Sequence, residues 1–125
     1  MIRRERGSVT VELALALPAV ALLLAAVLVL TSAAVGQLRC ADAARAGARA
    51  AALGEPLDQV RAVAARVAGG AAAIVIDTHA GWVTVSVSRA VVAGPFAGAP
   101  LRAHASASAR VEPLARVEPL AQVAP

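Results

Sequence analysis

Residues 13–38 read LALALPAVALLLAAVLVLTSAAVGQL, 26 consecutive positions without a charged side chain, with eight leucines between Leu13 and Leu30. As a helix rising 1.5 Å per residue, this run is about 39 Å long, more than the ~30 Å hydrocarbon layer of a bilayer. The competing reading is the core helix of a soluble protein, which needs enough apolar chain to surround it. The remainder does not supply that. The 125 residues are 59% hydrophobic, but 35 are alanine and the aromatics are only Trp82 and Phe96. Alanine buries little area, and stabilisation follows area at roughly 25 cal/mol per Å². The run is therefore expected to be a transmembrane helix over residues 8–38, and a large soluble core is excluded. Pro18 lies inside it, where a membrane helix tolerates proline better than a surface helix does.

Charge sets the flanks. All twelve basic residues are arginine, and the formal net charge is +4. Arg3, Arg4 and Arg6 precede the apolar run and favour a cytoplasmic N-terminus. Arg39, Arg45 and Arg49 follow it and blunt that signal. The arginines are too dispersed, and the aromatics too few, for a nucleic-acid face. A single cysteine, Cys40, excludes a disulfide framework and a four-cysteine zinc site. Two isolated histidines leave little for a metal centre, so no metal, cofactor or catalytic residue is expected and the chain is read as no enzyme. Asp77 and His79 lie close in sequence, but no nucleophile with a supporting context accompanies them, and they fall at an expected hairpin turn. Cys40 is read as a small helical residue facing a neighbour; an intermolecular disulfide in an oxidising compartment is the alternative. It lacks the preceding residues of a lipid-attachment motif.

Glu12 is the most informative side chain. A carboxylate at the edge of a membrane segment is costly unless paired, or else sits solvated in the headgroup zone, favoured by the helix dipole. It also interrupts the junction of a secretory signal, whose apolar stretch would be shorter than this one. Such a signal would be cut near Ser32-Ala33-Ala34, leaving Val35 at the new terminus. The string Arg6-Gly7-Ser8-Val9-Thr10-Val11-Glu12 instead places glycine before the apolar run and glutamate five residues later. This resembles the class III signal of type IV pilins. The continuation Val11-Glu12-Leu13-Ala14-Leu15-Ala16-Leu17-Pro18 is similar to TadE-like minor pilins or pseudopilins of the tight-adherence system, and Cys40–Ala52 to their actinobacterial members. Many relatives carry Phe where this chain has Leu13.

The resemblance implies a structural protein of a type IV (Tad-type) pilus or secretion system. A prepilin peptidase would cut between Gly7 and Ser8, releasing residues 1–7 as a basic leader and leaving Glu12 as the fifth mature residue. Its carboxylate would then pair with the Ser8 ammonium of an adjacent subunit. Expected partners are the peptidase, the assembly platform, other pilin-like subunits and membrane lipid, with no nucleic acid. The expected location is the cytoplasmic membrane, single-pass, with the C-terminal domain extracytoplasmic or in a surface filament. The alternative is a single-pass accessory or binding protein with a small extracytoplasmic domain.

Beyond the bilayer the chain reads as α+β. The long helix is expected to continue over residues 39–54, with Asp42 pairing Arg39 or Arg45, and to stop at Gly54. Arg45 and Arg49 share one face, read as solvated. A small domain over residues 55–111 follows. In it a short amphipathic helix starts at Pro56, buries Leu57, Val60, Ala64 and Val67, and ends at Gly69-Gly70. Ala72–Thr78 reads as a short buried strand and His79-Ala80-Gly81 as a turn. Trp82–Arg89 alternates valine with Ser or Thr, and Leu101–Val111 alternates alanine with polar residues, giving a three-stranded antiparallel sheet. A loop holds Gly94–Pro100. Trp82, the only Trp, is expected to be the largest buried anchor, with truncation to alanine costing about 3–5 kcal/mol if fully buried. The tail from Glu112 to Pro125 repeats Arg-Val-Glu-Pro-Leu-Ala and is expected to be extended or disordered, since each unit carries a proline.

Overall fold

The computed structural model describes residues 5–91 and 101–111. The expected loop at Gly94–Pro100 and the tail from Glu112 onward lie outside the described residues. The order of elements is α1 (Glu5–Ala52), α2 (Leu57–Ala68), β1 (Ala72–His79), β2 (Trp82–Val91) and β3 (Leu101–Arg110). The sheet is an antiparallel meander, β1-β2-β3. This is the expected α+β architecture.

At 48 residues α1 is about 72 Å long and runs unbroken through Pro18. Its end is a Schellman motif. Gly54, at φ 80°, donates its N–H to Ala51, and the Glu55 N–H reaches back to Ala50. Pro56 stands one position outside α2, as its N-cap in extended conformation, rather than as its first residue. α2 ends at Gly69, φ 78°.

The C-terminal half of α1 and the whole of α2 cover one face of the sheet. The core joins Cys40, Ala43, Ala44, Ala50 and Ala51 of α1 to Val60, Ala64 and Ala68 of α2. Val83, Val85, Val87 and Val91 of β2 and Ala103 of β3 complete it. Small residues on all elements let the layers approach closely. At Gly47 a Cβ would lie 3.0 Å from Val85 Cγ1 and 3.3 Å from Ala64 Cβ.

Three burial expectations need correction. Trp82 is 49% exposed, because it occupies the end of β2 beside the turn, beyond the helices. The anchors are instead the fully buried Val60, Val85 and Val87, so the large loss on truncating Trp82 does not apply. On α2 the core stripe is Val60, Ala64 and Ala68, while Leu57 and Val67 are exposed. β1 is an edge strand with one free face, so Ile74 and Ile76 are half-buried and Val75 is exposed.

Each sheet edge is partly covered by a side chain. Gln37 of α1 donates from Nε2 to the His104 carbonyl at 2.7 Å and accepts the His104 N–H at 3.2 Å, acting as a one-residue strand against β3. Arg61 of α2 donates to the Ile74 carbonyl on β1 at 2.8 Å. An edge with unpaired backbone groups invites pairing with other chains, and these contacts occupy part of each edge.

The β1–β2 hairpin closes through Ala80 and Gly81, both at positive φ (49° and 82°), between the paired His79 and Trp82. Two residues at positive φ fit a type I′ turn, in which alanine is strained by about 1 kcal/mol. Ala80→Gly is expected to raise stability by about that amount. Thermal unfolding of the full chain in detergent micelles checks this: an unchanged or lower Tm contradicts it.

Candidate functional site

The N-terminal half of α1 stands clear of the domain. From Val9 to Leu30 its large apolar residues are exposed except the half-buried Val29, with Leu13 at 63% and Leu28 at 71%. The most apolar window has a mean hydropathy of 2.9, and none of it is buried within the chain. A core helix of a soluble protein would be covered on most sides. This one is a candidate membrane span. Ala33 packs against the core cluster, and a Cβ on Gly36 would meet Val91 and Ala103. The stretch from Gly7 to Ser32, exposed throughout except at Val29, is about 39 Å long, enough to cross a hydrocarbon layer.

Gly7, Ser8 and Glu12 all lie in the first turns of α1 and are exposed. Among the described residues, no non-local atom comes within 4 Å of where a Gly7 Cβ would sit, so the backbone there is open to approach. Ser8 and Glu12 are four residues apart, one helical turn and about 6 Å along the axis, on the same face. Among the described residues, nothing from the folded domain covers them. Their environment is set by whatever surrounds α1.

Cys40 lies just past the apolar run and is fully buried. Its thiol points at the Ala103 carbonyl, 3.8 Å away, across the α1–β3 interface. Burial raises its pKa, partly opposed by the Arg89 charge. A covered, protonated thiol is a small packing residue, in accord with the simpler of the two readings. Asp42 pairs with Arg45 at 3.5 Å rather than with Arg39, and both partners are largely exposed. Asp77 and His79 are exposed on β1, two residues apart on the face away from the helices. Among the described residues no group of three or more His, Cys, Asp or Glu could hold a metal ion.

Gln37 was not singled out from the sequence. The available signal was its position as the lone amide in the charge-free run, where a polar group needs a partner; β3 supplies one.

The stretch 7–49 matches the family model described as TadE-like protein. The matched segment begins at Gly7, takes in Glu12 and the exposed apolar run, and ends within the part of α1 that packs on the domain. α2 and the sheet lie beyond it. No curated protein and no solved structure matches the chain.

Proposed function

We propose that this protein is a minor pilin or pseudopilin-like structural subunit of a Tad-type pilus or secretion system, held in the cytoplasmic membrane by α1. The observation that carries this reading is the TadE-like match over 7–49, which coincides with an apolar helix left bare by its own domain. In this reading the N-terminus is cytoplasmic and the sheet domain extracytoplasmic. A prepilin peptidase cleaves between Gly7 and Ser8, and the mature helix enters an assembly with other pilin-like subunits through an assembly platform. The exposed leucines of α1 are then lipid-facing in storage and helix-facing in the assembly. The family is one of pilus structural components, so no catalytic role is assigned.

Glu12 supplies the assembly chemistry. After cleavage the Ser8 amine is a cation at the head of an apolar helix. A neighbouring helix staggered by one turn brings its Glu12 level with that amine. Removing one partner from a buried ion pair costs about 3–5 kcal/mol, because the remaining charge is left uncompensated. Glu12→Gln is thus expected to insert and to be at least partly processed, yet to lose most crosslinked assembly. Mass spectrometry of the mature protein with crosslinking in cells that carry the peptidase reads both steps. A mature N-terminus at Ser8 is the expected result, and Val35 would reject the pilin reading. Met1 would instead favour a single-pass accessory protein with an uncut anchor.

A further inference from the structure

We propose that Arg39 and Arg89 form a phosphate-binding site, occupied by the headgroup phosphate of an acidic phospholipid where α1 leaves the bilayer. The proposal rests on the reading of α1 as a membrane span. A cleft of about 420 Å³ lies between α1 and the end of β2, lined among others by Thr31, Ser32, Arg39 and Arg89. That volume is in the range of small-molecule sites.

Two like charges converge there. A Cβ on Gly69 would lie 3.7 Å from Arg89 Nη1 and 3.9 Å from Arg39 Nη1, so both guanidiniums crowd one glycine. Among the described residues the only ion pair is Arg45–Asp42, so neither cation is matched by a carboxylate. Arg89 donates once to the Ala68 carbonyl at 3.3 Å, at the C-terminal end of α2. A helix C-terminus carries about half an elementary charge, less than two full cations require. Arg39 makes no hydrogen bond within the described residues. Each guanidinium retains donors in the fork geometry that suits phosphate. Ser32 also lines the cleft, whereas the Thr31 hydroxyl donates to the Val27 carbonyl within its own helix.

Depth selects the source. Arg39 is the first charge after the 26-residue apolar run, about 40 Å along the helix from Glu12. A bilayer with its headgroups is about 40–45 Å thick, so Arg39 and the lower rim of the domain meet the phosphate layer opposite the N-terminus. A lipid phosphate seated between the guanidiniums relieves their repulsion and fixes the domain against the membrane surface.

The test uses the full chain in dodecyl maltoside micelles, with phosphatidylglycerol or phosphatidylcholine added, and native mass spectrometry to count retained lipid. The wild type is expected to keep phosphatidylglycerol in preference to phosphatidylcholine. R39Q alone, which removes no intramolecular hydrogen bond, and R39Q/R89Q are expected to hold it about tenfold more weakly. R45Q/R49Q removes the same charge outside the cleft and should retain phosphatidylglycerol as the wild type does. Equal retention by R39Q/R89Q and wild type overturns the site, as does an equal fall in R45Q/R49Q, which would mean net charge alone. Displacement of phosphatidylglycerol by excess inorganic phosphate would make free phosphate the ligand and overturn the headgroup assignment. Flotation with phosphatidylglycerol-containing vesicles separates the underlying reading. Wild type and R39Q/R89Q should both float; a wild type that stays at the bottom overturns the membrane anchor and the headgroup assignment with it.

Discussion

Gly47→Leu is expected to destabilise the domain by about 3 kcal/mol or more, at the upper end of what over-packing costs. Gly47 is where three elements meet. A Cβ there already lies 3.0 Å from Val85 Cγ1 and 3.3 Å from both Val85 Cγ2 and Ala64 Cβ. Val85 and Ala64 are fully buried, in the middle of β2 and of α2, so neither can swing aside into solvent. Alanine at this position gains about 1 kcal/mol of helix propensity over glycine and loses a comparable amount to the contact, so Gly47→Ala should be close to neutral. Leucine adds three more carbons with no space for them and must push α1 off the sheet. The measurement is thermal unfolding of the full chain in micelles by far-UV circular dichroism, reading loss of the sheet. A Leu variant with the wild-type Tm would mean that the layers are not packed this closely.

Gly7→Val is expected to abolish processing, leaving a membrane-inserted precursor with its basic leader. A peptidase must bring the scissile backbone against its own catalytic groups, and a β-branched side chain beside that bond blocks the approach and stiffens the chain. Among the described residues no non-local atom lies within 4 Å of where a Cβ on Gly7 would sit, so valine there disturbs no described packing. A change in processing therefore reports on the peptidase and not on misfolding. Intact-mass measurement of membrane fractions from cells carrying the peptidase distinguishes the precursor from the form beginning at Ser8. Cleavage of the Val variant at the wild-type extent contradicts the assignment of Gly7, while its Tm should be unchanged.

How far the sequence reached differs between the two halves of the chain. For α1 the residues alone placed a long apolar helix and a candidate membrane span, because summed hydropathy over a contiguous window is a property local to residues 13–38. The helix end at Gly54 and the strand alternation of Val83, Val85 and Val87 against Thr84, Ser86 and Ser88 were legible for the same reason. Capping and the period of two are set by near neighbours. Burial in the domain was not local. Val60 and Val67 are the same residue type on one short helix, yet Val60 is fully buried and Val67 is 40% exposed. The angle at which α2 meets α1 and the sheet decides between them. Trp82 has the largest apolar surface in the chain, but its place at the end of β2 puts it past the rim of both helices. The bond from Gln37 to His104 spans 67 residues, and the convergence of Arg39 with Arg89 on Gly69 joins α1, β2 and the end of α2. Hydropathy and caps are summed along the chain, whereas who covers whom depends on how separated segments pack. The first was determined by the residues alone, and the second only by the tertiary structure.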